Sequence, residues 1–573
     1  MYMFASGKLI INDYGNGFVN VDNKSIYIKK QNLNFGYNNQ IVNVKYHIDD
    51  SNGNYYGEVV NFSLIGKTFV GIVYNFFREQ IFIYVPELKK SNLIMIKSKI
   101  TLNRGDWVKV KVVSSTNNEN QKQQLNGVLI ERLPDNIDLL LEKKFSLDNI
   151  FISNLSDIKT CSKKHFIKEQ SHLNTFTIDP QTTQDCDDAF SIKPGKFNNE
   201  YHIYVHISDL AHYINPDHPD FEEIAKRGTT YYGKNTNWSM IPRFYADSFA
   251  SILPNKRTNV VTCEFIYNSF KNKLKYVGWY YSIIESKNKY SYEYVDLNFH
   301  NLDFGILYDS SKLIKSEIDD FILCEAESKS HLMVRYWMIK VNQIMCKEVK
   351  SLYRCHLSPE NTKLNLINEY IKFINPDYVQ DNLVINADNR SELINLNNDK
   401  SSNKLLKFLL KSCFSKAYYS SNDESHYGLG IDNYTHWTSP IRRLCDLINH
   451  CILKGYKIDV EKYLGYMDES RDKQMEIEAF IHSYEISKNC HQSEMYNAII
   501  IDIKATGIII YVEDLDNKYN IHISKLSDEK LEFINKNNSM QLENKKVIYK
   551  MFQEIKVYVN KVDFDTIDFS VLG

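Results

Sequence analysis

The chain has 573 residues and ten cysteines, none of them in a C-x-x-C pair. Cys445 and Cys451 fall in one expected helix; Cys161, Cys186, Cys263, Cys324, Cys346, Cys355, Cys413 and Cys490 form no framework. That argues against a disulfide-stapled secreted domain and against a structural zinc site, and fits reduced thiols in an intracellular, cytoplasmic protein. The N-terminus, Met1-Tyr2-Met3-Phe4-Ala5-Ser6-Gly7-Lys8, lacks the basic and apolar regions of a signal peptide. No apolar run reaches the ~20 residues of a membrane span. The best stretch, Ile499 to Val512, is broken by Asp502 and Lys504, so no membrane association is expected. An excess of positive charge is also missing: Lys and Arg number 69 against 71 Asp and Glu, a net charge of −2. Any basic surface for nucleic acid must therefore be local, as in a cleft.

What is present is enough apolar material for several cores, 43% hydrophobic and 13% aromatic, in a length that suits about three to five domains. Residues 1–66 and 67–135 each read as short strands with turn punctuation. Examples are Gly7–Ile11, Gly17–Val21 and Ser25–Ile28, then Phe69–Tyr74, Gln80–Val85 and Asp106–Val112. Two units of this size suggest two five-stranded oligonucleotide-binding (OB) barrels, whose exposed aromatics can stack bases. The polar run Ser114 to Gln124 reads as a loose loop. Residues 136–174 read as a linker. Residues 175–490 mix strands with helical periodicity, as at Ile318 to Glu348 and Lys404 to Tyr419, without an internal repeat, and read as one large α/β domain. Strands return over 491–573 as a third barrel, with a loop expected at Asn535 to Ser539.

Chemistry concentrates in Thr177-Ile178-Asp179-Pro180-Gln181-Thr182-Thr183-Gln184-Asp185-Cys186-Asp187-Asp188-Ala189-Phe190-Ser191. Asp179, Asp185, Asp187 and Asp188 crowd four like charges between apolar flanks, which is costly without compensation. Mg²⁺ or Mn²⁺ compensates best, because these ions prefer carboxylate oxygen. A solvated acidic loop is the bland alternative; the flanks Ile178, Ala189, Phe190 and Ile192 argue against it. An EF-hand loop starting at Asp185 fails, with Phe190 in place of Gly and Lys196 in place of Glu.

A second segment, Thr435-His436-Trp437-Thr438-Ser439-Pro440-Ile441-Arg442-Arg443, precedes the stripe Leu444, Cys445, Ile448, Cys451, Ile452. Ser439 suits an N-cap and Pro440 a first helical residue, which predicts Arg442 and Arg443 in a first helical turn. Cations there oppose the helix dipole unless an anion such as a phosphate is bound. A pair of surface arginines tolerating the dipole is the competing reading. Arg227-Gly228-Thr229-Thr230-Tyr231-Tyr232-Gly233 offers paired rings for stacking a base, against the commoner fate of tyrosines in a core. Met475-Glu476-Ile477-Glu478 lies on a predicted helix from Lys462 to Cys490 and by itself reads as a solvated face.

Taken together these segments resemble the RNB family: ribonuclease II, ribonuclease R and the catalytic subunit of the eukaryotic exosome. The Asp cluster is similar to its IDPxxxxDxDDA signature, His206 to Ile214 to HIADVSHYV, and Arg227 to Tyr232 to RGTSVY. His426 to Gly430 resembles HFGLA, and Thr438 to Arg443 matches TSPIRR. The resemblance implies two N-terminal cold-shock-like OB barrels, a central α/β RNB catalytic domain and a C-terminal S1-type OB barrel. It implies processive 3′-to-5′ hydrolysis of single-stranded RNA to 5′-nucleoside monophosphates with Mg²⁺, Mn²⁺ being the alternative ion. Residue by residue, it implies that Asp179, Asp185, Asp187 and Asp188 bind metal, with Asp187 closest to the chemistry. Arg442 would grip the scissile phosphate and Tyr232 stack the terminal base. Tyr231, Arg443 and Arg227 would assist RNA binding, and Glu476 would be the catalytic-helix acid, with Glu478 its rival. The family's LAN reads here as Cys324-Glu325-Ala326, and Gly507-Ile508-Ile509 stands where S1 domains favour Gly-Phe-Val. A monomer or a subunit of an RNA-decay complex is expected. The alternative function is an RNA-binding protein of this fold, without catalysis or acting as a scaffold.

Overall fold

The computed structural model describes residues 2–11, 16–21, 24–29, 32–33, 41–49, 53–60, 64–86, 88, 93–117, 123–148, 165–318, 328–375, 385–388, 390–398, 403–527, 530–536, 539–543, 548–563 and 566–571. Strands Met3–Ile11, Gly17–Val21, Lys24–Ile28, Ile41–Ile48 and Tyr55–Val60 close into a barrel. Alternation puts Leu9, Val19, Ile26, Ile28, Val42, Val44 and Val59 inside it. A second closed barrel follows from Thr68–Phe77, Gln80–Tyr84, Ile94–Ile96, Trp107–Asn117 and Gln123–Leu133. The loose loop expected at Ser114 to Gln124 is corrected. Ser114 pairs with Asn126, Ser115 with Leu125, Thr116 with Gln124 and Asn117 with Gln123. Backbone pairing to a partner strand outweighs the polar composition; residues 118–122 of that run lie outside the described residues.

The segment expected as a linker carries helix Ile137–Phe145 and strand Ile167–Glu169 at the edge of the central sheet. That six-stranded sheet runs Ile167–Glu169, Lys273–Tyr290, Thr175–Ile178, Asp188–Pro194, Glu200–Ser208, Arg257–Asn268, and Lys273–Tyr290 also pairs back onto Arg257–Asn268. One face buries Phe176, Phe190, Val205 and Phe265 against Phe304 and Trp337 of helices Leu302–Ser316 and Lys329–Val349. Cys324-Glu325-Ala326 lie outside the described residues. The other face carries a buried polar line: Thr175 to Ser191 (2.7 Å), Ser191 to His206 (2.9 Å), and His206 to Thr262 (2.8 Å). A one-residue slip would break every one of these bonds, so the line pins the register of the strands flanking the Asp cluster.

Helix Glu461–Asn489 spans the expected long helix and acts as a spine. Near its end, Trp107 of the second barrel donates to the Tyr484 hydroxyl (3.1 Å), and Lys488 pairs with Asp135 (2.6 Å). The C-terminal unit differs from a simple barrel: a five-stranded sheet and a three-stranded sheet share one core built on Ile500, Ile508, Ile510, Leu542 and Val557. Lys536 and Ser539, expected in a loop, pair as the closing residues of a hairpin, and residues 537–538 lie outside the described ones. Tyr511 and Phe552 dock this unit onto helices Asn361–Ile374 and Lys404–Cys413.

Candidate active site

The Asp cluster is the connection between strands Thr175–Ile178 and Asp188–Pro194, which pair antiparallel at Thr175–Ser191 and Phe176–Phe190. The connection is held by its backbone. The Asp179 N–H donates to the Tyr290 carbonyl (3.0 Å), and the Ser208 N–H to the Asp187 carbonyl (2.8 Å). Ser251 Oγ accepts from the Cys186 N–H (2.8 Å) and donates to the Gln184 carbonyl (2.7 Å). The four carboxylates line one cavity of about 1010 Å³, together with Tyr232, Arg335, Arg354, Arg442 and Arg443.

Asp187 is 4% exposed. Its Oδ1 accepts the Ile441 N–H at 2.9 Å, and its Oδ2 lies 3.6 Å from Arg442 Nε. The two motifs, 254 residues apart for that hydrogen bond, therefore meet at one carboxylate. The helix expected to begin at Pro440 begins at Leu444 instead, after an extended Arg443. Residues Ser439 to Arg443 form a turn in which the Arg442 and Arg443 N–H groups donate to the Ser439 carbonyl. The physical reason is a competing set of partners. The Leu444 N–H, which a helix from Pro440 would turn to the Pro440 carbonyl, goes instead to the Gly228 carbonyl, while the Ser439 N–H is held by Asp446 Oδ1 (2.7 Å). The Arg442 carbonyl accepts from the Thr230 N–H (3.1 Å) and the Thr229 hydroxyl (3.0 Å). The helix dipole thus does not explain these arginines. Arg443 is bound to buried Asp446 at 2.7 Å, whereas the Arg442 side chain is 42% exposed toward the cavity.

The segment from Arg227 to Tyr232 lies directly against this turn; Leu444 N–H donates to the Gly228 carbonyl at 2.9 Å. Gly228 has φ +72°, and a Cβ there would stand 2.5 Å from Ser470 Oγ and 2.9 Å from the Tyr466 carbonyl of the long helix. Strand alternation separates the two tyrosines. Tyr232 faces the cavity, 42% exposed. Tyr231 is buried in a core with Trp238, Ile477 and Phe480, so base contact through its ring is corrected. The Arg227 side chain donates to the Asp148 carbonyl and does not line the cavity. Glu476 and Glu478 are exposed on the long helix and are not brought to the cavity either.

Sequence reasoning missed four residues. Arg243 binds Asp185 at 2.7 Å and also Asp247; nothing in the sequence joins positions so far apart. Asn342 Oδ1 accepts the Trp437 N–H (2.8 Å) and the Thr438 N–H (3.2 Å). Gln474 Oε1 accepts the Tyr232 N–H (3.0 Å), and its Nε2 donates to Glu478 (2.8 Å). Asp446 had a signal, standing one helical turn after Arg443.

Burial raises the affinity of all four carboxylates for a proton. It is the first cause at Asp187, pushed up to about 7, where Arg442 opposes it. At Asp188 burial leads and the charges of Asp179 and Asp187 add to it. Asp179 and Asp185 are also raised, Asp185 against the pull of Arg243. Asp188 Oδ2 is buried without a hydrogen-bond partner among the described residues. An orphaned carboxylate oxygen among acids that resist ionisation is what a divalent cation would relieve, so the residues fit Mg²⁺ or Mn²⁺. Among the described residues no three Asp, Glu, His or Cys side chains close around one point. Water and substrate phosphate would therefore complete the ligand shell, as is usual for Mg²⁺.

Residues 167–303 and 296–459 match the RNB domain model, which is half of the chain. The chain belongs to the RNB family. Its RNB relatives include ribonuclease R of Aquifex aeolicus, 26% identical over 515 residues, 76% of this chain and 71% of that protein. In structure it is similar to Mycoplasma genitalium RNase R in complex with ribose-methylated single-stranded RNA, with a TM-score of 0.62 at 20% identity, over 99% of this chain and 100% of that one. It is also similar to yeast Ssd1, a pseudonuclease, with a TM-score of 0.57 at 15% identity, over 94% and 81% of the two chains. Both likenesses are of fold alone.

Proposed function

We propose that this protein is a processive exoribonuclease that hydrolyses single-stranded RNA from its 3′ end and releases 5′-nucleoside monophosphates. The observation that carries the reading is the meeting of Asp187 with Ile441 N–H and Arg442 in a cavity that also holds Asp179, Asp188 and Tyr232. Asp179, Asp185, Asp187 and Asp188 are the residues that would hold Mg²⁺ or Mn²⁺, with water and phosphate completing the shell; Asp185 is also bound to Arg243. Such an ion, when bound, polarises the phosphate and acidifies a water. Arg442 faces the scissile phosphate and neutralises the charge that builds on it, a preorganised electrostatic contribution. The Ile441 N–H keeps Asp187 pointed at the same place. Tyr232 stacks the terminal base, its backbone held by Gln474. The two cold-shock-like barrels and the S1-type C-terminal unit guide one strand to the cavity.

The rival is an RNA-binding protein without hydrolysis, and the likeness to a pseudonuclease makes it concrete. Four crowded acids, all raised by desolvation and with the Asp188 Oδ2 unpartnered among the described residues, favour a bound cation and hence the enzyme. A 5′-labelled single-stranded RNA is incubated with Mg²⁺ or with a chelator. A ladder shortening from the 3′ end only with Mg²⁺, and 5′-monophosphates in the supernatant, is expected. Intact RNA with Mg²⁺ would favour the rival.

A further inference from the structure

A second chamber of about 420 Å³ opens beside the catalytic cavity, and the two share Arg354, Ala417, His436 and Arg443 as a common wall. Arg354, Lys416, Arg443 and Arg471 line it, and among the described residues no Asp or Glu does. The neighbouring cavity differs in setting its four aspartates against Arg335, Arg354, Arg442 and Arg443. Arg443 and Arg471 have carboxylate partners outside the chamber wall, Asp446 at 2.7 Å and Asp468 at 2.8 Å. Arg354 lies over the Tyr419 ring at 4.6 Å. Lys416 is exposed and has no ion-pair partner among the described residues. Tyr419, Met467 and Met475 supply an apolar wall between these cations. A chamber of this size, apolar with convergent cations, suits one small ligand carrying a ring and a phosphate.

Its place relative to Tyr232 says which ligand. Gln474 lines the chamber and, from the same side chain, accepts the Tyr232 N–H. Thr229 lines it too, and donates to the Arg442 carbonyl. The chamber therefore lies behind the terminal-base contact and behind the phosphate-facing turn. The second barrel meets the long helix from Ile477, which shares a core with Ile72 and Trp107, on to Tyr484 and Lys488, about 9 to 26 Å along that helix from Arg471 at 1.5 Å per residue. We propose that the chamber receives the released 5′-nucleoside monophosphate and is its way out, so that the product leaves past Lys416 while the shortened strand stays on the barrel side. This rests on the nuclease reading above: hydrolysis leaves a phosphate dianion at Arg442, and Arg443, Arg354 and Lys416 form a cationic path leading away from it.

The test uses the full chain and two substitutions, Lys416→Glu at an exposed position and Met475→Trp to fill the chamber. Binding of adenosine 5′-monophosphate is measured by calorimetry without RNA. Single-turnover cleavage and steady-state turnover of a labelled RNA are then measured with Mg²⁺. Wild type should bind the nucleotide, and Lys416→Glu should weaken it at least about tenfold, the scale of a lost charged hydrogen bond. Both variants should cleave at the wild-type rate in a single turnover and lag in the steady state. No nucleotide binding by wild type overturns the proposal, as do wild-type affinity and wild-type steady-state turnover in both variants. A wild type that binds the nucleotide at this chamber but never shortens RNA sinks the nuclease reading and leaves the chamber standing as a nucleotide site.

Discussion

Asp187 accepts from a backbone N–H, faces one arginine and is buried, and each contact has its own consequence. Arg442→Ala should lower the cleavage rate about 10²-fold or more, the usual loss when one preorganised donor to a developing charge is removed. Single-turnover kinetics at saturating RNA check this; a change confined to RNA affinity would contradict it. Burial keeps Asp187 protonated up to about pH 7 in the folded chain, whereas an unfolded Asp ionises near 3.9. The folded state therefore binds more protons between these values. Metal-free stability should fall as pH rises from about 4 to about 7 and level off above. Mg²⁺ relieves that cost only where the acids must ionise, so it should raise the Tm more at about pH 8 than at about pH 5. Equal Mg²⁺ shifts at both pH values would contradict the site assignment. The acids were legible in the sequence because four like charges between apolar flanks need a cause. Arg243, which claims Asp185, was not, because a pair made across the tertiary fold leaves no local pattern.

At the scale of elements, the turn from Ser439 to Arg443 depends on partners outside itself. Asn342→Ala removes the acceptor of two buried N–H groups, at Trp437 and Thr438, and the donor to the Tyr434 hydroxyl. It should cost about 2–4 kcal/mol, read from the denaturation midpoint; a loss under about 0.5 kcal/mol would mean the turn holds itself. Ser439-Pro440 is a sound local helix start, yet the helix begins at Leu444, because the Leu444 N–H goes to the Gly228 carbonyl and the Arg442 carbonyl is taken by Thr229 and Thr230, leaving the first-turn ladder unmade. The same lesson applies to Ser114 to Gln124, polar enough for a loop but paired by its neighbour strand. The long helix and the strand Glu200–Ser208 were legible almost to their ends, since their periodicity runs unbroken.

On the scale of the whole molecule, three β units accompany an α/β core that holds acids around Asp187 in one cavity and exposed Lys416 in the chamber beside it. The net charge of −2 conceals both. If the β units and the core grip an RNA backbone, log affinity should fall with log salt by about 0.7 per neutralised phosphate; a flat dependence would contradict a phosphate-tracking channel. The two N-terminal barrels were readable from strand patterning, but the division of the C-terminal unit into two sheets was not, since pairing partners are set by the shared core. Asp187→Asn puts the central claim to the most direct test. Its RNA binding and its cleavage of the same 5′-labelled strand are measured side by side with wild type. The predicted result is near wild-type binding and no shortening in the presence of Mg²⁺. Cleavage at the wild-type rate by Asp187→Asn would contradict the account.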